Sequence, residues 1–555
     1  MSLTLYRNGS VYSAADPLAT AMLVDGDTVA WVGGEHAATS LADSRMQIID
    51  LAGALITPGF VDSHVHVTET GLALESLDLS VTSTLAQALD LVAAAADVDA
   101  GIILGHGWDE STWPEGRPPT SAELERAAPG RAVYLARVDV HSAVVSGTLA
   151  EQGGLAALDG WLGDGLVVRE AHHAARAQAR RLDPAERSRV QRRALDAAAA
   201  AGYVALAEMA APHVGSAADL ASLAAISSST EHASVEVLPY WGQAVRSTDE
   251  ARTLLAELGT PVLGLAGDLN IDGSIGSRSA LLRSPYADAP GVHGTAYLDL
   301  DAVADHLAAT SELGLQAGFH VIGDAAMDVV VRGLELAAAR VGLDKVRAAG
   351  HRIEHAEMAD AGAIAALAAH SVTVSVQPMF DALWGGPGAL YERRLGAERA
   401  QALNPIASYF AAGVPICFGS DAPVTPLNPW ASVRAALMHH NGAQRISARA
   451  AFIGHTRAGW RAARERNPMM GQLAPGAPAS FAVWEVEELM VQVADERVQS
   501  WSTDPRARTP LLPALDTEND PRALATVHRG RSLFATEGYT VRDAVGGAAA
   551  ETGSK

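Results

Sequence analysis

The chain of 555 residues is poor in cysteine, in basic charge and in long apolar runs. Its one cysteine, Cys417, excludes an intrachain disulfide framework and any multi-cysteine zinc site, and it fits a reducing compartment. The 41 basic side chains are outnumbered by 64 acidic ones, and a formal net charge of −23 repels phosphate backbones and anionic membrane surfaces. Nucleic acid and membrane are therefore not expected as partners; a small-molecule substrate is. No window reaches transmembrane length without glycine or charge, and the N-terminus lacks a basic segment followed by a long apolar one. A soluble, cytoplasmic protein is expected.

With 48% hydrophobic and only 19% charged residues, the chain can bury a large core and exceeds one compact domain. Short alternating strands read from both ends, "LTLYRNGSVYS" and "AMLVDGDTVAWVGG" early, "GQLAPGAPASFAVWEVE" and "LATVHRGRSLFAT" late, as though one β unit held the rest between its halves. The final 541–555 reads as a disordered tail. Between the β segments, strand-like runs alternate with Ala-rich helical stretches, which argues for a parallel sheet or barrel. Eight runs end in polar residues: 59–66, 203–209, 235–242, 265–274, 315–324, 351–358, 373–380 and 415–423. Eight βα repeats are the count of a TIM barrel, with chemistry at the carboxyl ends of the strands. The long gap after the first run marks residues 70–200 as an insertion, partly a lid or small subdomain.

In "PGFVDSHVH", His64 and His66 stand at i and i+2 of a buried strand, so both rings leave one face. Other strand ends add His320, His355 and Asp421. Imidazoles with a carboxylate suit Zn²⁺ and leave a position for water, although this donor set does not choose zinc over iron or manganese.

These segments, with "GHGWDES", "DGSIGSRSALL", "FHVIGDAAMD", "HRIEHAEM" and "GSDAPVTPLNPW", resemble the amidohydrolase superfamily, in its amidohydrolase family 3 (YtcJ-like) branch, over nearly the whole chain. The resemblance implies a metal-bearing TIM barrel at 58–468, a small β-sandwich from 1–57 and 469–540, and hydrolysis of a non-peptide C–N bond. It also implies that His64, His66, His320, His355 and Asp421 form the metal site, and a homodimer. Many relatives carry a carbamylated lysine where this chain has Asp268, whose shorter stem is expected to fall short of the barrel centre unless the backbone moves inward. One divalent metal, most simply zinc, is therefore expected, held by His64, His66, His320 and Asp421 or most of these. His355 is either a ligand or a hydrogen-bond partner of the water. A binuclear site bridged by Asp268 is the alternative. Asp421 is the expected base, and Asp272 is expected to tie the following glycine turn.

Substrate contacts are sought at His106, Trp108 and Asp109 in a Gly- and Pro-rich loop, at His141, and at the strand ends Glu208 and Trp241. Arg278 either binds a substrate carboxylate or pairs with an acid, the second being preferred. Cys417 reads as buried and inert. A deaminase, an ester or lactone hydrolase, and a non-catalytic binding or regulatory barrel are the competing functions.

Overall fold

The computed structural model describes residues 3–97, 101–492, 501–502, 510–516 and 519–539; the tail expected at 541–555 lies outside them. Eight parallel strands form the central sheet: β1 (Phe60–Val65), β2 (Tyr203–Ala210), β3 (Glu236–Trp241), β4 (Gly264–Leu265), β5 (Gln316–Val321), β6 (Arg352–His355), β7 (Thr373–Val376) and β8 (Ile416–Phe418). They pair in chain order. The sheet closes where β8 returns to β1: the His66 amide donates to Ala422 O at 3.0 Å and the Asp421 amide to His64 O at 2.8 Å. This is a TIM barrel.

The strands are short apolar runs because both faces are covered. All residues of β1, β2 and β5 are buried. Outer helices present one apolar stripe to them; in Asp324–Val341 the buried Met327, Val330, Leu334 and Ala337 follow helical spacing. Helix Leu300–Leu313 starts where the Asp299 side chain accepts from the Ala302 amide and stops at Gly314, whose φ of 67° suits a residue without Cβ.

Both ends of the described chain build the β-sandwich. One sheet holds Thr28–Gly33, Ala21–Asp25, Leu3–Arg7 and Gln47–Asp50; the other joins Ser10–Val11 and Leu55–Pro58 to Phe481–Glu485, Arg522–His528 and Arg531–Ala535. Tyr6, Met22, Val29 and Ile49 pack between them against Phe481, Val483 and Val527. Strand Leu55–Pro58 runs straight into β1 through Gly59, where a Cβ would lie 2.3 Å from Val204.

The inserted unit is a five-stranded sheet of Leu77–Asp78, Ile103–Trp108, Val133–Arg137, Ser142–Val145 and Leu166–Val168. It is followed by helix Arg169–Ala179. The next helix, Pro184–Ala200, falls within the expected insertion but belongs to the barrel: its Ala194, Leu195, Ala198 and Ala199 join the barrel core. It is the crossover into β2. Among the described residues no helix is long and apolar enough to cross a membrane.

Candidate metal centre

β1 delivers His64, and His66 follows its last residue, so the two rings meet above the barrel with centroids 5.3 Å apart. β8 faces them with Asp421, whose Oδ1 lies 3.3 Å from both His64 Nε2 and His66 Nε2. Asp421 and His355 sit just where their strands end, with φ of 55° and 70°, a left-handed conformation that costs a non-glycine residue energy and turns both side chains inward.

Asp268 corrects the expectation that its stem falls short. The regular part of β4 ends at Leu265, and Gly267 turns the backbone with φ of 105°, where a Cβ would crowd Met209. Leu269 N then donates to Gly267 O at 2.8 Å, closing a tight turn around Asp268. The backbone thus comes to the centre: Asp268 Oδ1 is 3.5 Å from His64 Nε2 and Oδ2 is 3.2 Å from His66 Nε2. No lysine competes, since Lys345 and Lys555 are the only ones in the chain.

The donors fit a small divalent cation. The spacings of 3.2–3.5 Å, for which Asp268 turns a different oxygen to each histidine, are close to the separation of about 3.3 Å between neighbouring ligand atoms that lie about 2.0–2.1 Å from a shared cation. His64 Nε2 and Asp268 Oδ1 are buried with no hydrogen-bond partner. The other faces of the rings are fixed: His64 Nδ1 meets Glu354 Oε2 at 2.9 Å, and His355 Nδ1 donates to Gln377 Oε1 at 2.7 Å, so both Nε2 lone pairs point to the centre. Burial disfavours charge on His64, yet Asp421 and Glu354 outweigh it and raise its pKa to about 10. Burial would raise the carboxyl of Asp421, and the imidazoles of His64, His66 and His355 more than offset it. The carboxylates thus favour positive charge at the centre. His355 also comes within ligand distance of His64 and Asp268, whereas His320 stands one ring further out, its centroid 4.5 Å from that of His355.

A second group, Asp381, His439 and His440, does not fit a cation equally well: His439 Nε2 donates to Asn404 O at 3.0 Å, and its Nδ1 accepts the Asn441 amide at 3.0 Å. No lone pair of His439 remains.

An amidohydrolase family model matches residues 47–534. The chain belongs to the amidohydrolase family. It is 26% identical to "Protein LONG AFTER FAR-RED 3" of Arabidopsis thaliana over 515 residues, covering 86% of each chain. It is 24% identical to the "Putative amidohydrolase YtcJ" of Bacillus subtilis, covering 70% of this chain and 74% of that one. A crystal structure of an uncharacterized metal-dependent hydrolase from Pyrococcus furiosus superposes with a TM-score of 0.66 at 25% identity, covering 87% of this chain and 98% of that one.

In this amidohydrolase the centre is flanked by two cavities. One, of about 30 Å³, is walled by His320, His355 and Asp421 on one side and by Phe380, Trp384, Leu390 and Tyr391 on the other. The other, of about 40 Å³, runs from His66, Glu69 and Asp268 to His172, His173, Arg176 and His213. His141 borders both, 5.2 Å from the His320 ring.

The remaining sequence candidates divide. His106 and Asp109 line a groove between the inserted unit and the barrel; His106 Nδ1 is 3.0 Å from Ser76 Oγ, and Asp109 pairs with Arg137 at 3.1 Å. Trp108, expected to touch substrate, is instead core of the inserted unit, its indole N–H donating to Leu135 O at 2.8 Å. Trp241 packs among Ala210, Leu220 and Val245, again away from the centre. Glu208 is buried, and its Oε2 accepts the Val67 amide at 2.7 Å. Arg278 pairs bidentately with Asp288 at 3.0 and 2.7 Å. Asp272 accepts the amides of Leu281, Ile322 and Gly323, and Cys417 is buried.

Sequence reasoning missed the residues that orient the ligands. Glu354 is held by Arg352, with Nε to Oε1 at 2.5 Å, and Arg352 also donates to Ser63 O at 2.7 Å. Alternation along β6 carried a signal: Arg352 and Glu354 share a face, opposite to Ile353.

Proposed function

We propose that this amidohydrolase cleaves a non-peptide C–N bond of a small amide through one divalent cation, zinc by preference, held by His64, His66, Asp268 and Asp421 with His355 adjoining. The observation that carries this reading is the clustering of His64, His66, Asp268 and Asp421, whose neighbouring donor atoms lie 3.2–3.5 Å apart. When bound, the cation supplies Lewis-acid polarisation of the substrate carbonyl and a lowered water pKa. Asp421 takes the proton of the attacking water and returns it to the departing nitrogen as the new C–O bond forms and the C–N bond breaks. Glu354 and Gln377 hold the tautomers of His64 and His355, which keeps their lone pairs at the centre.

The test combines elemental analysis of protein purified without chelators with a panel of N-formyl and N-acyl amines assayed for amine release. About one metal per chain and stoichiometric amine and acid are expected. About two metals would replace the single-cation part with a binuclear centre. Metal-loaded protein that opens lactones or deaminates heterocycles but releases no amine from amides would overturn the C–N assignment.

A further inference from the structure

The cavity on the Asp268 side carries two guanidinium groups, Arg169 and Arg176, beside the carboxylates of Glu69 and Asp268. In a protein of net charge −23, helix Arg169–Ala179 turns His172 and Arg176 inward on one face, four residues apart, and the loop after β2 brings His213. Arg176 is only 7% exposed. One terminal nitrogen donates to Val140 O at 2.8 Å, while Nε is buried with no hydrogen-bond partner. Among the described residues no carboxylate forms an ion pair with it.

Its neighbours on the same path are already neutralised. Arg169 is held by Asp159 at 2.7 and 2.8 Å, Arg187 by Asp219 and Arg180 by Glu69. The imidazoles supply no counter-charge: burial and the Arg176 guanidinium hold His172 neutral, its Nε2 3.0 Å or less from Tyr134 Oη, at 2.9 Å. A buried guanidinium without an anion is costly, and a ligand that brings one recovers that cost. The cavity that holds this guanidinium also contains His66 and Asp268. It continues outward past His173 and His213 into a wider pocket edged by Arg181.

We propose that Arg176 receives a carboxylate of the substrate, so that the substrate is an amide bearing a carboxylate on one side of the scissile bond and an apolar group, held by Phe380, Trp384 and Tyr391, on the other. A planar guanidinium is suited to a carboxylate because its N–H groups match the two oxygens in a fixed fork. This assignment rests on the amidohydrolase reading for the word amide, but the anion site itself can be tested without turnover.

The experiment is calorimetric binding of a matched, unreactive pair, phenylpropanoate and phenylpropanol, to metal-loaded full-length protein. Wild type is expected to favour the carboxylate by at least about tenfold, and Arg176→Gln to bring that ratio close to one. Arg169→Gln, which removes a guanidinium already occupied by Asp159, is expected to leave the ratio at its wild-type value. If Arg176→Gln does not fold, Arg176→Lys carries the test: the charge stays but the fork is lost, and the ratio falls at least about threefold. A wild-type ratio near one, or a preference that survives undiminished in the Arg176 variants because the carboxylate sits on the metal, overturns the inference. Failure of the amidohydrolase reading is separable, since it appears as absence of amine release while the binding ratio and its loss in Arg176→Gln persist.

Discussion

The two cavities that meet at the metal centre are opposites in chemistry and in origin. The one beside His355 is aromatic: Phe380 stacks on the His355 ring at 5.7 Å, Trp384 lies 4.8 Å from Phe380, and Tyr391 lies 6.1 Å from Trp384. It is built from short helices after β7, Pro378–Trp384 and Leu390–Leu395. The one beside Asp268 is lined chiefly by the inserted unit, the helix that follows it and the loop after β2, and its walls are rich in imidazole and guanidinium, with Glu69 and Asp268 among them. The donors of the centre come from the barrel strands and the turns just beyond their carboxyl ends. The fold thus separates the candidate donors from most of the cavity walls, and it sets two unlike surfaces beside one candidate centre. A substrate that satisfies both must itself be apolar at one end and anionic at the other.

The largest expected effect removes what the cavities share. His66→Ala deletes one of four converging donors and is expected to lower kcat/KM at least about a hundredfold, with loss of bound metal read by elemental analysis. Retention of metal and activity would show that the two cavities do not meet at a metal centre.

Next in size is the support behind the centre. Glu354→Gln takes the charged partner from both His64 and Arg352, which are 0% and 1% exposed. Metal affinity is expected to fall about 10–100-fold. Denaturant unfolding is expected to lose about 3 kcal/mol, because the Arg352 charge is left buried and unpaired. Gln377→Leu, which removes a neutral partner from His355, is expected to cost less in both measurements. Equal effects would mean that Glu354 acts only as a packing residue.

The eight strands are legible in the sequence because buried parallel strands must be apolar along their length, and the meeting of His64 and His66 because alternation in β1 brings them to one face. Asp268 is legible only as an alternative, bridging donor, since its reach depends on a left-handed turn at Gly267 that no side-chain length predicts. Arg352, Glu354 and Gln377 escape for another reason: their partners are remote in sequence, as with Glu354 and His64. The histidine and arginine wall hides inside an ordinary amphipathic pattern. His172 and Arg176 occupy the same stripe as Ala171, Ala175 and Ala179, so the polar residues stand among the buried ones rather than on the solvent face. That inversion is a readable signal.

A smaller effect sharpens the aromatic side. Trp384→Ala is expected to weaken phenylpropanol binding about tenfold, the equivalent of about 1.4 kcal/mol of lost apolar contact. It should weaken phenylpropanoate by the same factor and leave the ratio between them unchanged, because Trp384 does not line the cavity of Arg176. A change in the ratio would mean that the two cavities are energetically coupled and that the division between them is one of composition alone.

The smallest effect concerns pH. Partial desolvation, with the neighbouring Arg176 charge, holds the pKa of the exposed His173 down to about 4 and that of the half-buried His213 to about 3, against about 6.5 in an unfolded chain. A histidine whose folded pKa is depressed contributes stability that is full above the unfolded value and is lost as pH falls, because the unfolded chain takes up protons that the folded one refuses. Between pH 7 and 5, His213 is expected to account for about 1 kcal/mol of the decline, and the exposed His173 for less. His213→Gln should therefore flatten the fall of unfolding free energy across that window, while a tryptophan change on the aromatic side should shift the curve without altering its slope. An unchanged slope in His213→Gln would mean that its ring is solvated in the folded protein, and that Arg176 stands in a wetter cavity than its burial implies.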